Sequence, residues 1–293
     1  MTTRPSVFYR GRTDKPLVVF IHGMGLDERI WVRPAEARVL GGKYPLTVLM
    51  RGAGAGLKTL FESCREQGFT VLTWSQRRPV GPIAAAAGEL SDLIERHRPY
   101  TGNGVILVGH SRGGLVARKY LERKSGVVRG IVTIVTPHHG TSLAKWVDYV
   151  GPLASVAHRF VGARNEEEAR TVLQRIVGFL VSTGVRELYP RSPFFAELRD
   201  GLREGIRSVS VGGTDPHLVK LGPVSLADLM RRIMPSPLVP VELKDGCGDG
   251  MVSAESAVLP YGGEHRDFPV NHVTVLFDNE VREYIMNAVE GMS

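Results

Sequence analysis

One serine lies between two glycines in the stretch GVILVGHSRGGL, which runs from Gly104 to Leu115. An apolar run ends at Gly109, Ser111 follows within two residues, and apolar residues resume at helical spacing after Gly114. This order predicts a strand, a sharp turn and a helix, with the serine hydroxyl exposed at the turn. A hydroxyl held there could attack an electrophilic carbon above the N-terminus of the helix, where developing negative charge is stabilised.

The pattern Gly-x-Ser-x-Gly is weak evidence by itself. With 34 glycines among 293 residues, a chain of this composition is expected to contain roughly 0.2 such matches by chance. Ser111 could also be an ordinary N-cap of the helix that follows it, a position that serine often occupies. A nucleophilic role therefore depends on a base and an acid elsewhere in the chain.

A serine hydroxyl needs a neighbouring base to react at neutral pH. In proteins with this type of turn the acid follows the serine along the chain, and the histidine comes last. Of the nine histidines only His265 and His272 come late enough. His272 lies shortly before the predicted final helix and is favoured, whereas His265 lies in a charged stretch that we predict to be a surface turn.

Three aspartates are candidates for the acid that would orient the histidine. Asp249 lies between two glycines that permit a tight loop, and we favour it. Asp215 closely follows the predicted strand IRSVSV, where a simple wound sheet would place its acid, so it remains a competitor. Asp245 is predicted to lie in a turn.

Two backbone N–H groups would have to converge on the oxygen of an attacked carbonyl group. The residue after the nucleophile, Arg112, is one candidate donor. The other is Met24 in the loop His22-Gly23-Met24-Gly25, because this loop follows an early strand and the flanking glycines allow the amide to turn inward. His22 is predicted to brace the loop by hydrogen bonds rather than to transfer protons.

Five motifs, in this order, resemble those of bacterial α/β-hydrolase lipases and esterases: HGMG, GHSRGG, TPHHGTS, GDGMVSAESA and NHV. The segment Glu187–Leu198, ELYPRSPFFAEL, is also similar to part of the cap of such lipases. Two features depart from the family pattern. Arg112 stands where many relatives have a hydrophobic residue, and the stretch from Leu26 to Gly52 is longer than a simple family loop.

The resemblance implies a specific assignment of the site. Ser111, Asp249 and His272 would form a catalytic triad, Met24 and Arg112 would donate to the oxyanion, and no cofactor or metal would be needed. The implied activity is hydrolysis of carboxylic esters through an acyl-enzyme. A thioesterase, amidase or acyltransferase on the same triad, and a non-catalytic binding module of the same fold, remain alternatives.

The elements that would hold these residues alternate in type along the chain. Apolar runs typical of buried parallel strands occur at Leu17–Ile21, Phe69–Trp74 and Val127–Val135, in addition to the strand before Ser111, with helical patterns between most of them. The alternation predicts an α/β fold with a mostly parallel sheet flanked by helices. We predict one domain over residues 1–293, with a helical cap inserted at 141–205.

The composition and charge of the chain limit the classes of partner that we expect it to bind. The net charge of +7 comes from scattered lysines and arginines interleaved with acidic residues, so nucleic-acid binding is not expected. The two cysteines suggest neither a disulfide framework nor a metal site. No signal peptide or membrane span is recognisable, which predicts a cytoplasmic enzyme acting on a small-molecule ester or an acyl lipid. Apolar faces of the predicted cap are compatible with transient contact with a membrane or micelle surface.

Overall fold

A seven-stranded sheet forms the centre of the protein. In a computed structural model, the described residues are 6–39, 44–45, 57–122, 126–143, 183–199, 201, 204–218, 220–221, 224–225, 227–228, 231 and 235–293. The strands of the sheet are β1 (Ser6–Tyr9), β2 (Leu17–Ile21), β3 (Thr70–Trp74), β4 (Val105–His110), β5 (Val128–Ile134), β6 (Arg207–Gly213) and β7 (Glu264–Phe268). Their order across the sheet is β1-β3-β2-β4-β5-β6-β7. All neighbours pair in parallel except β1, which is antiparallel to β3.

Helices lie on both faces of this sheet. They are α1 (Arg29–Val32), α2 (Leu60–Glu66), α3 (Ile83–Arg96), α4 (Arg112–Leu121), α5 (Thr183–Glu187), α6 (Pro193–Glu197), α7 (Ala254–Ala257) and α8 (Asn279–Glu290). Short 3₁₀ turns occur at Pro34–Glu36, Arg98–Tyr100, Ser236–Leu238, Val241–Leu243 and Thr274–Leu276. Two pairs of two-residue strands complete the description, Arg38–Val39 with Tyr44–Pro45 and Lys220–Leu221 with Val224–Ser225.

The sheet separates two apolar cores. Side chains alternate between the faces of a strand, so Val18 and Phe20 of β2 pack with α1, α2 and α8, whereas Leu17, Val19 and Ile21 pack with α3 and α4. All five are fully buried. Burial of each such side chain stabilises the fold by roughly 1.5–3 kcal/mol. The central strands are therefore rigid supports for the loops at their carboxyl ends.

The predicted α/β architecture is confirmed, and the predicted buried strands agree with the observed ones within two residues at each end. The prediction for His265 is wrong, because this residue lies in the edge strand β7 rather than in a turn. Only Phe268 of that strand is fully buried, so its sequence lacks the apolar run that identified the central strands. Of the predicted cap at 141–205, residues 144–182 lie outside the described residues, and the cap stays a prediction.

Gly113 allows α4 to approach the sheet closely, whereas Gly88 on α3 has no such role. A β-carbon at Gly113 would lie 2.3 Å from the carbonyl oxygen of Ile21, but one at Gly88 would have no atom within 4 Å. Gly113→Ala is expected to lower the free energy of unfolding by about 1–3 kcal/mol or more. Gly88→Ala, at an exposed helix interior, should raise it by roughly 0.5–1 kcal/mol. Urea unfolding of both variants measures this contrast, and equal stabilities would contradict the close approach at Gly113.

Candidate active site

Ser111 occupies a strained turn between β4 and α4. Its backbone angles are φ 53° and ψ −128°, which L-residues rarely adopt. The turn is fixed from both sides, since the Ser111 N–H donates to Ile134 O at 2.8 Å and the Gly114 N–H donates to Ser111 O at 3.0 Å. A non-glycine residue persists in such a conformation only where the surrounding structure enforces it, and such residues cluster at functional sites.

Two further side chains align with the Ser111 hydroxyl. Its Oγ lies 2.9 Å from Nε2 of His272, and Nδ1 of His272 lies 2.7 Å from Oδ2 of Asp249. A carboxylate oxygen only accepts hydrogen bonds, so Nδ1 carries the imidazole proton and Nε2 presents its lone pair to the hydroxyl. In this arrangement the serine proton has an acceptor already in place, and the imidazolium formed by its transfer would face a carboxylate.

The loop that carries Asp249 is built around its carboxylate. Asp249 is fully buried, and Oδ1 accepts hydrogen bonds from the N–H groups of Met251 at 2.8 Å and Val252 at 2.7 Å. The His272 N–H also donates to Asp249 O at 3.0 Å, so backbone and side chain both join the two loops. Gly213 at the end of β6 makes room for this loop, because a β-carbon there would lie 2.8 Å from Cβ of Asp249.

The competing candidates form other hydrogen bonds. Oδ1 of Asp215 lies 2.6 Å from Nδ1 of His217, so its carboxylate is engaged by a different imidazole. Asp245 is exposed in a turn and pairs with Arg231. His265 contacts Oγ of Ser210 at 2.8 Å and Oδ1 of Asp267 at 3.0 Å. The structure thus brings Ser111, His272 and Asp249 together and places these three candidates in other networks.

The loop that contains Met24 lies directly on the strained turn. A β-carbon at Gly23 would lie 3.1 Å from Cβ of Ser111 and 2.9 Å from Nδ1 of His110, so only glycine fits between them. The loop turns sharply at Gly25, which has φ 68° and whose N–H donates to Pro79 O at 3.2 Å. Met24 is therefore in the neighbourhood that an oxyanion donor requires, and its role stays a prediction.

A contact that the sequence does not indicate joins His110 to the backbone of His272. His110 is fully buried, and its Nε2–H donates to the backbone carbonyl of His272 at 3.0 Å. Burial, reinforced by the nearby His272, lowers the pKa of His110 to about 3. His110 is therefore neutral at physiological pH and acts as a fixed hydrogen-bond donor.

The Arg112 side chain points into the protein interior. It is fully buried, and its guanidinium donates to Oε1 of Gln76 and to the carbonyl oxygen of Gly81, both at 2.6 Å. Burial lowers the pKa of Arg112 to about 10, so the group stays charged at neutral pH. Its positive charge faces these two acceptors rather than solvent, and neither partner could be predicted from the sequence.

Glu242, which belongs to no motif of the sequence, connects the loop after β5 to the loop of Asp249. Its buried carboxylate accepts hydrogen bonds from Oγ1 of Thr141 at 3.0 Å and from N–H and O–H of Ser142, both at 2.6 Å. Its carbonyl oxygen accepts from the Gly250 N–H at 3.0 Å. A buried glutamate with this many donors fixes two chain segments that are about a hundred residues apart.

Two negative findings concern the described part of the chain. No group of three or more histidine, cysteine or acidic side chains there could hold a metal ion. No helix among those residues is long and apolar enough to cross a membrane.

Comparison with known proteins supports the architecture. The profile of the alpha/beta hydrolase family matches residues 18–264. Among solved structures, the mature lipase BlEst2 of Bacillus licheniformis is 19% identical, with a TM-score of 0.58, over 97% of this chain and 98% of that chain. The esterase EaEST from Exiguobacterium antarcticum is 12% identical, with a TM-score of 0.53, over 97% and 94%. A thermostable carboxyl esterase from Bacillus coagulans is 13% identical, with a TM-score of 0.50, over 98% and 93%. No curated protein matches the sequence.

Proposed function

Because this chain belongs to the alpha/beta hydrolase family, we propose that it hydrolyses carboxylic esters, with Ser111 as nucleophile, His272 as base and Asp249 as the acid that orients His272. The observation that carries the proposal is the pair of contacts of 2.9 Å and 2.7 Å that joins the three side chains. That several solved structures of the same fold are lipases and esterases supports the ester as substrate.

The proposed reaction has two stages. Nε2 of His272 takes the proton of the Ser111 hydroxyl as Oγ bonds to the acyl carbon, and the carbonyl oxygen becomes an oxyanion held by the N–H groups of Met24 and Arg112. The imidazolium then protonates the leaving alkoxide, which departs as the alcohol. A water molecule, deprotonated by His272, attacks the acyl-enzyme, and the carboxylic acid leaves as Ser111 recovers its proton.

Asp249 acts in this scheme without binding a proton. Its Oδ2 holds His272 in the tautomer that leaves Nε2 free to accept, and its charge stabilises the imidazolium formed during each stage. The two backbone donors to Oδ1, from Met251 and Val252, keep the carboxylate in place. A cap over residues 141–205 would cover the substrate and select its acyl chain, which is part of the same proposal.

A fluorophosphonate probe and an ester panel test the proposal together. The probe phosphonylates an activated serine, so we expect one adduct, on the peptide that contains Ser111, and turnover of p-nitrophenyl acetate and butyrate. Ser111→Ala should lose the adduct, whereas Ser256→Ala should keep it, because the Ser256 hydroxyl donates to Gly140 O and is engaged elsewhere. Absence of both labelling and ester turnover in the wild-type protein would refute the function.

A further inference from the structure

One continuous chain of buried hydrogen bonds joins the two loops that would donate to the oxyanion. Nη1 of Arg112 donates to Oε1 of Gln76 at 2.6 Å, and Nε2 of Gln76 donates to the carbonyl oxygen of His22 at 3.0 Å. The Gln76 N–H also donates to Nε2 of His22 at 3.1 Å. Nδ1 of His22 lies 2.9 Å from the carbonyl oxygen of Gly23, the residue before Met24. The chain thus runs from one candidate donor to the neighbour of the other.

Every atom in this chain has a defined hydrogen-bonding role. The guanidinium only donates and a carbonyl oxygen only accepts, which fixes the orientation of the Gln76 amide. His22 accepts from the Gln76 N–H at Nε2, so its proton is on Nδ1 and is donated to Gly23 O. Burial lowers the pKa of His22 to about 4, and this imidazole is neutral at physiological pH. The linkage therefore has a single arrangement of donors and acceptors.

The guanidinium has a second anchor, on the segment that leads into α3. Nη2 of Arg112 donates to Gly81 O at 2.6 Å, and the first residue of α3, Ile83, donates its N–H to Oε2 of Glu187 at 2.8 Å. Arg112 and Gln76 are both buried, with 0% and 1% of their surface exposed. Burying a charged group is costly, so a side chain used only for packing would be apolar here.

We propose that Gln76 and the Arg112 side chain are positioning residues for the oxyanion hole, which they serve by fixing the distance between the backbone N–H groups of Met24 and Arg112. The inference rests on the proposed function. The two amides belong to loops that are almost ninety residues apart in the sequence. A planar guanidinium can hold two acceptors in a fixed geometry, which a lysine or an apolar side chain cannot do.

The consequence of losing this linkage is a specific loss of rate. Oxyanion donors act on the transition state more than on the bound ester, and a misplacement of about 1 Å can cost about 10² in rate. We therefore expect Gln76→Met and Arg112→Met to lower kcat for p-nitrophenyl butyrate by about 10- to 100-fold, with KM changed by less than about threefold. A purely structural role would instead reduce the amount of folded protein.

The test compares an ester with its thionoester, in which sulfur replaces the carbonyl oxygen. Sulfur is a weak hydrogen-bond acceptor, so the oxyanion donors stabilise the transition state of the thionoester less than that of the ester. We expect the ratio of kcat/KM for the ester to that for the thionoester to fall in Gln76→Met and Arg112→Met. This ratio does not depend on the concentration of folded protein, and it remains measurable when a variant is only partly folded. In the double variant this ratio should fall no further than in the worse single variant, because either change breaks the same linkage.

Arg118→Met is the matched control. Arg118 is also a buried arginine of α4, but it donates to Nδ1 and the carbonyl oxygen of His138, both at 3.2 Å. Its loss should lower stability and leave the ratio at the wild-type value. A wild-type ratio in both Gln76→Met and Arg112→Met, or an equal fall in Arg118→Met, would overturn the inference while the ester hydrolase stands. A wild-type protein that turns over neither substrate would instead refute the proposed function.

Discussion

Replacing Ser111 by alanine is expected to lower kcat for p-nitrophenyl butyrate by about 10⁶, the scale seen when the nucleophile of a serine protease triad is removed. The variant keeps His272 and Asp249 at their positions but has no oxygen to attack the acyl carbon. Any remaining hydrolysis would come from water held near the oxyanion donors. Steady-state kinetics at an enzyme concentration high enough to detect this remaining hydrolysis measures the loss. Activity near that of the wild type would contradict the assignment.

The stability of variants at the same position provides an internal control. Alanine retains the β-carbon and with it the strain at φ 53°, so the free energy of unfolding should stay within about 0.5 kcal/mol of the wild-type value. Ser111→Gly removes the β-carbon. Because such strain amounts to roughly 1–3 kcal/mol and the greater freedom of unfolded glycine costs roughly 0.4–1 kcal/mol, this variant should be more stable than Ser111→Ala. If Ser111→Gly is inactive and also more stable than Ser111→Ala, the strain serves the reaction and not the fold.

Sequence patterns identified the central part of the sheet well. The runs at Leu17–Ile21 and before Ser111 are apolar throughout, because parallel strands in the middle of a sheet are covered on both faces. The edge strands β1 and β7 are exposed or half-buried at every position except Phe268, and their sequences have no such run. The charged stretch around His265 therefore predicts a surface turn, although it forms a strand. A strand that is buried on both faces has an apolar run that can be recognised in the sequence, whereas a strand at the edge of the sheet has none.

Some residues of the candidate site can likewise be identified from the sequence, and others cannot. Residue type and order along the chain single out Ser111, His272 and Asp249, and the structure places the His272 side chain within hydrogen-bond distance of the other two. Gln76 and Glu242 were not found, since neither belongs to a motif. Both contribute through contacts between distant segments, Gln76 with Arg112 and Glu242 with Thr141 and Ser142. Such contacts follow from how the loops pack at the end of the sheet, and only the folded structure shows them.

Arg112 shows how a departure from a family pattern can be interpreted once its contacts are known. In the sequence, Arg112 stands beside the candidate nucleophile, where many relatives have a hydrophobic residue, and this departure leaves the polarity of the acyl pocket open. In the structure its guanidinium is fully buried between Gln76 and Gly81, on the interior side of the loop. The charge therefore contributes to the framework of the site, and its presence is no evidence for an anionic substrate.

Asp249→Asn is expected to lower kcat by about 10⁴, as in the equivalent change in a serine protease triad. The asparagine oxygen can keep the hydrogen bonds from Met251 and Val252, so the loop should retain its shape. The new NH₂ group would then face Nδ1 of His272, which must give up its proton to accept. The proton moves to Nε2, and the atom that faces Ser111 no longer has a lone pair.

Asp215→Asn is the matched control, because it makes the same chemical change in the competing acid. The Asp215 carboxylate binds Nδ1 of His217 at 2.6 Å, so its neutralisation should alter kcat by less than about tenfold. Parallel measurement of kcat with p-nitrophenyl butyrate, together with unfolding curves for both variants, separates an effect on the base from an effect on the fold. A small loss at Asp249 and a large loss at Asp215 would assign the acid to Asp215, and the 2.7 Å contact between Asp249 and His272 would then serve only to hold two loops together.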